Sequence, residues 1–434
     1  MEFLLTIVYS LIFIAFISRL SFYKIDGISG NWVIAAFAVK VLAGSLLYLV
    51  YTYYYKERNN ADIYKYFDDS KILYNALWNN PHDFLKIFFS FGNDTPYFDK
   101  YYGQMNNWYG IYPTNLYGDG HIMIRFNALA RIISFQYLNV HTVIMNFLSF
   151  TGLIGMIRFF RMEGRKQKLL FLMIFLMPSL LFWGSGVLKE GLILFSLGII
   201  LFHFRQFAEG QNQWWRILLM LIALIILRYT KFYIFALILP LLVSGLWVSM
   251  SKRKFILLKY AFLILLAIGA GSQLYRVNPY NKISELLANK HNGFVKEAIE
   301  AKAGSLFDTA MMQPSWPEIL KATLPGFLNT LLRPLPWESV NPFMLMASAE
   351  NLLIIFLILF VLFRLKKPAD LNLFIFSVIF FLLVYSVSGL ISPISGALVR
   401  YKIPAMPFLF YAVLTLANPA HLTNPAGGLK PRQD

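Results

Sequence analysis

The stretch Asn31-Trp-Val-Ile-Ala-Ala-Phe-Ala-Val-Lys40-Val-Leu-Ala-Gly-Ser-Leu-Leu-Tyr-Leu-Val50-Tyr-Thr-Tyr-Tyr54 is apolar almost throughout. Soon after it the chain turns polar, as Asn59-Asn-Ala-Asp62-Ile-Tyr64-Lys-Tyr66-Phe-Asp68-Asp69. The first stretch is longer than the roughly 20 residues that cross a hydrocarbon core of about 30 Å. The second opens a long polar loop. Apolar runs recur outward from this point at 3–20, 137–158, 168–185, 188–204, 216–229, 231–249, 256–274, 346–364, 371–388 and 402–417, so about eleven spans are expected. The expected fold class is an all-α polytopic transmembrane helical bundle. Residues 1–418 form one integral domain interrupted by two long loops, 56–136 and 275–345, and 419–434 form a disordered tail.

Composition supports this division. The chain has 434 residues, 58% hydrophobic and only 14% charged. Its net charge of +17 is not gathered in one block: Arg158, Arg161, Arg165, Lys166 and Lys168, then Lys252-Arg-Lys254, then Arg364, Lys366 and Lys367, lie in short connections. Positive charge in short connections marks the cytoplasmic side, so the excess is topological and no nucleic-acid partner is expected. Phe3–Leu20 lacks a basic leading region and reads as an uncleaved first span. With the basic connections inside, the N-terminus and both long loops fall outside and the C-terminus is cytoplasmic. The absence of cysteine excludes a disulfide framework, a Cys-ligated metal and a thiol nucleophile. No His-Glu-x-x-His, phosphate-binding Gly-rich Lys loop or Gly-x-Ser-x-Gly elbow occurs. The remaining chemistry must use carboxylates, amines, guanidinium groups and hydroxyls.

The first loop has structure of its own. Asn60 is placed to cap a helix over 61–78 whose Ile63, Phe67, Leu73 and Leu77 recur at helical spacing, and Phe84–Phe91 and Ile122–Phe135 are amphipathic. Such helices lie in the membrane interface or pack on the bundle. Between them, Tyr97 to Tyr117 is rich in Tyr and Trp, which suits an interfacial belt or sugar stacking. Asp62, Tyr66 and Asp69 stand at i, i+4 and i+7, near one helix face. A carboxylate there is a candidate general base, Asp62 first and Asp69 behind it; the plainer reading is an acidic first turn favoured by the helix dipole.

Charges at the ends of apolar runs give the other candidates, because ionisable groups at a membrane edge are costly. Pro178-Ser-Leu-Leu-Phe-Trp-Gly-Ser-Gly-Val-Leu-Lys-Glu190 is a tight turn that delivers Lys189 and Glu190 to a helix start, as an anion pocket or a simple interfacial pair. Arg228 and Lys231, Arg333 in Arg333-Pro-Leu-Pro-Trp-Glu338, and Arg400 and Lys402 in Arg400-Tyr-Lys402-Ile-Pro404 each put cations beside aromatics at the same edge. They grip a lipid phosphate or snorkel to headgroups. Lys40, mid-span, is expected to pair with Glu350 or to snorkel. In Gly118-Asp-Gly-His121-Ile-Met-Ile-Arg125, His121 and Arg125 are the loop residues that can join the site.

These features together resemble the GT-C superfamily of membrane glycosyltransferases: many spans, a long outer loop opening on an acidic residue, amphipathic loop helices, and Arg-Tyr-x-x-Pro-x-x-Pro before the last span. Ala61-Asp62-Ile-Tyr-Lys-Tyr66 looks like that superfamily's acidic-x-x-Tyr signature, and the Phe-Trp-x-Ser-Gly-x-x-Lys-Glu core of 178–190 is also similar to O-antigen polymerase-like proteins. The resemblance implies a bacterial inner-membrane enzyme that moves a sugar from a polyprenyl-phosphate-linked donor to a glycan or lipid acceptor on the outer face, without a cofactor, a divalent metal being left open. Asp62 would be the base, and cations among Lys189, Arg228, Arg333 and Arg400 would steady the departing phosphate. The pattern departs from the superfamily in placing the acidic loop after the second span. A repeat-unit polymerase or ligase is the alternative, and a lipid-linked glycan transporter or flippase the alternative from another class.

Overall fold

The computed structural model describes residues 1–54, 58, 61–108, 120–211, 213–251, 254–273, 282–300, 302–362 and 366–417. Asn60, the 109–119 part of the aromatic stretch and the tail 419–434 lie outside the described residues. Among the described residues the chain is helical, and its one strand-like contact is a bridge between Leu306 and Ile394.

Two helices, α1 (Glu2–Arg19) and α2 (Gly30–Leu49, continued as π-helix over Val50–Tyr54), lead to the first loop. The loop folds as α3 (Asp62–Asn79), α4 (Pro81–Phe89), α5 (Asp99–Tyr102) and α6 (His121–Ser134). The bundle resumes with α7 (Leu138–Phe160), α8 (Gly164–Leu176), α9 (Pro178–Trp183) and α10 (Lys189–Ala208). It continues through α11 (Trp214–Thr230), α12 (Phe232–Met250) and α13 (Ile256–Gln273). The second loop carries α14 (Ile283–Glu300) and α15 (Trp316–Leu332), and the chain closes with α16 (Pro342–Leu362), α17 (Leu371–Ile391), α18 (Ser395–Tyr401) and α19 (Met406–Leu416).

Nine of these segments are long and apolar enough to cross a membrane among the described residues, so the protein is a multi-pass membrane protein. The other two expected spans exist in shorter form. The run 168–185 breaks into α8 and α9 because Pro178 has no N–H to continue the helix and drives Met177 to extended backbone, φ −66° and ψ 121°. The run 216–229 becomes the 17-residue α11, about 25 Å long. The outer faces of α1 and α13 expose Leu4, Leu11, Leu257 and Leu265, as expected of surfaces solvated by lipid tails.

Because lipid removes most of the hydrophobic drive between helices, close backbone approach matters more. A Cβ built at Gly198 of α10 would overlap the carbonyl of Gly152 on α7, and one at Gly389 of α17 would overlap that of Gly326 on α15. Glycine is therefore what lets these two helix pairs meet. The first loop has its own core, in which Ile63, Leu73, Ile87, Met123 and Ile124 pack together. Leu47, Met145, Leu188 and Leu192 of the bundle join that core, seating the loop on one end of the bundle. Buried Arg131 ties α6 to α3 by donating to the Ser70 hydroxyl and the Phe67 carbonyl at 2.8 and 2.6 Å. The second loop reaches the same end through its strap: Phe307 N donates to Pro393 O at 3.1 Å, and Ser395 N to Ser305 O at 2.9 Å.

Candidate functional site

Where the two loops meet the bundle, a cavity of about 730 Å3 opens. Its apolar lining comes from Leu47 and Val50 at the end of α2, Phe182 and Trp183 of α9, and Phe343 and Met344 of α16, and its polar lining from Asp62, Arg400, Ser179, Ser305 and Asn341. Phe343 joins two of these elements, its ring 5.7 Å from Phe182 and 5.9 Å from Tyr54.

Arg400 is the centre of the polar lining. Its Nη1 donates to Asp62 Oδ2 at 3.0 Å, while Nε and Nη2 donate to the two oxygens of Glu190, each at 3.2 Å. The guanidinium also stands 5.4 Å from the Trp183 ring. Three segments far apart in sequence, the starts of α3 and α10 and the end of α18, supply one charged centre. A bidentate arginine fixes geometry that a lysine would not. Burial works against ionised Asp62, but Arg400 and then Lys189 outweigh it and hold the carboxyl below the usual aspartate range. Asp62 is thus a carboxylate at neutral pH and a weak proton acceptor for as long as Arg400 holds it. A negative group that displaced it from Arg400 would restore its basicity.

The remaining candidates sort themselves by distance from this centre. Lys189 acts on Asp62 electrostatically and lies 5.5 Å from the ring of buried Tyr66. Lys231 sits 3.9 Å over Tyr401, the residue after Arg400. Neither lines the cavity. Of the four cations expected to converge with Asp62, Arg400 alone lines it among the described residues. Arg333 instead pairs with Glu338 at 2.5 Å and stands over Phe307, inside the second loop. Arg228 lies beside Tyr229 and Phe232, both on its own stretch of chain.

Five expectations are corrected because internal partners claim the side chains. Asp69 accepts the backbone N–H groups of Asn106 and Asn107 at 3.0 and 2.8 Å and so folds the loop over α3; burial outweighs these donors and raises its pKa. His121 stacks 3.9 Å from Trp108, and Arg125 donates to Ile87 O at 3.0 Å and Ser90 Oγ at 2.6 Å. Lys402 is buried and does not line the cavity; it lies 3.3 Å from Glu350 and donates to Asn351. Lys40 therefore does not meet Glu350: its ammonium donates to Gly184 O at 2.5 Å and Ser185 Oγ at 3.1 Å. Helical spacing and position in a span cannot name partners that arrive from other segments. Ser179, Ser305 and Asn341 at the cavity escape sequence reading for the same reason, being uncharged and without pattern.

Among the described residues no group of three or more His, Asp and Glu stands together as a metal-binding set. Comparison with protein-family models, curated proteins and solved structures finds no match for the chain.

Proposed function

We propose that the protein is a membrane-embedded glycosyltransferase of a bacterial inner membrane that uses a polyprenyl-phosphate-linked sugar at the loop-covered end of the bundle, on the outer face; the positive charge of the short connections supports that side. One observation carries the reading: a cavity lined largely by apolar side chains holds an arginine placed between two carboxylates from distant parts of the chain. An amphiphile with an anionic head matches both kinds of lining. The lipid chain lies against Leu47, Val50, Phe182 and Phe343, and the phosphate meets Arg400.

The chemistry follows from that placement. The phosphate draws Arg400 away from Asp62 and leaves the carboxylate as general base. The acceptor hydroxyl oxygen bonds to the sugar's anomeric carbon, its proton passes to Asp62, and the anomeric C–O bond breaks with its electron pair on the lipid phosphate. Arg400 stabilises that charge as it develops.

A repeat-unit polymerase or ligase is the second reading. It is favoured by Arg400 as the hub of the site and by an acidic loop that follows α2 rather than the first span. Profiling lipid-linked glycans in cells carrying Asp62→Asn or Arg400→Gln separates the two: accumulation of an unextended acceptor supports transfer of a single sugar, and accumulation of complete repeat units supports polymerisation or ligation. Unchanged glycans in both variants would reject both readings.

A further inference from the structure

Two charged side chains deep in the bundle, Lys40 and Glu350, take no part in the chemistry above, although burying each is costly. They meet opposite ends of the same short helix. At the N-terminal end of α9, Glu350 Oε2 accepts the Ser179 N–H at 2.6 Å. At the C-terminal end, Gly184 O accepts from Lys40 Nζ at 2.5 Å and from Ser149 Oγ at 2.9 Å, and Leu181 O accepts from Ser185 Oγ at 2.5 Å. A helix break inside a membrane leaves amides and carbonyls that water would otherwise satisfy, and each unsatisfied one costs several kcal/mol. A carboxylate at the amide end and an ammonium at the carbonyl end also match the direction of the peptide dipoles.

We propose that Lys40 and Glu350 are positioning residues that clamp α9 and thereby hold the polar lining of the cavity in register. The clamp reaches both Glu190 and Arg400 of the charged centre. Beyond Gly184 the chain turns directly into Lys189 and Glu190, and the turn is pressed against α2, where a Cβ at Gly44 would strike the Ser185 carbonyl. On the other side Glu350 holds Lys402, two residues after Arg400, at 3.3 Å. α9 itself gives the cavity Ser179, Phe182 and Trp183. The inference rests on the functional reading only for what the clamp serves; the clamping itself does not depend on it.

Because the natural chain has no cysteine, a single introduced one reports one place. Phe182→Cys marks α9, and Phe376→Cys, buried in α17 against Phe159 and Phe408, marks the distant bundle. In the full chain reconstituted in nanodiscs, Lys40→Met raises the N-ethylmaleimide labelling rate at 182 about tenfold and leaves that at 376 unchanged, and Lys40→Arg restores the parent rate. Glu350→Gln, which keeps an acceptor for Ser179 N–H but loses the charge, gives a smaller rise at 182 only and carries the test should Lys40→Met fail to fold. Equal acceleration at both positions, or none at 182, overturns the proposal. Protection of Phe182→Cys by farnesyl phosphate in the otherwise unaltered chain tests the functional reading separately. Its failure would reject the lipid-phosphate site and leave the clamp standing.

Discussion

At the residue scale the site depends on one guanidinium serving two carboxylates. Replacing Arg400 with Gln removes the cation between Asp62 and Glu190, and activity should fall at least about thirtyfold, as truncating a hydrogen-bonded charge pair of this kind costs roughly 2–5 kcal/mol. Arg400→Lys should recover little, because a point charge cannot span both partners. The Asp62 pairing also has a signature in pH. A carboxyl whose pKa is lowered on folding contributes stability that is fully present above its ordinary value of about 4 and lost as pH falls through the lowered one. The melting temperature of Asp62→Asn should therefore lie below that of the natural protein at pH 7, and the two should converge once the pH has fallen below the lowered pKa of Asp62. A gap that persisted in acid would mean that the pairing is not what holds Asp62. Asp69→Ala should behave differently, lowering thermal stability by about 1–3 kcal/mol by orphaning the amides of Asn106 and Asn107, without a selective loss of lipid-phosphate binding. Glu190 and Arg400 are legible as costly charges at the ends of apolar runs, and Asp62 from the helical spacing of the loop's acidic start. Lys402 carries the first signal and Asp69 the second, while His121 and Arg125 stand out only by their place in the loop; their structural roles depend on Glu350, Asn106, Asn107, Trp108 and Ile87, which no local pattern connects to them.

At the element scale, periodicity foretold the loop helices. Expected 61–78 is observed as Asp62–Asn79, and the amphipathic run 122–135 as His121–Ser134. The run 168–185 was harder to read, because hydropathy averages over Pro178 and hides the break that makes α9. The strap that bridges Leu306 to Ile394 had no sequence signal at all, since a single long-range backbone pairing leaves no period. Helix pairs held by glycine give a direct check. Gly198→Val must push α10 away from the Gly152 backbone, and overpacking of this kind costs about 1–3 kcal/mol. A thermal-shift measurement in detergent should show that loss, whereas Gly293→Ala, where an added Cβ meets open space, should not.

At the scale of the whole molecule, the bundle presents one end to two loops, and the cavity lies where α2, α3, α9, α16 and α18 converge. That convergence is why an amphiphile suits the site: Leu47, Phe343 and Met344 come from membrane-spanning helices, and Asp62 and Arg400 from segments at the loop boundary. The most direct measurement is equilibrium binding of farnesyl phosphate to the purified protein in nanodiscs, with farnesol as the uncharged control. Saturable binding of the phosphate, at least about tenfold tighter than farnesol and lost in Arg400→Gln, is the expected result. Equal affinity for farnesyl phosphate and farnesol, or binding of the phosphate that Arg400→Gln leaves intact, would contradict a lipid-phosphate site built around Arg400.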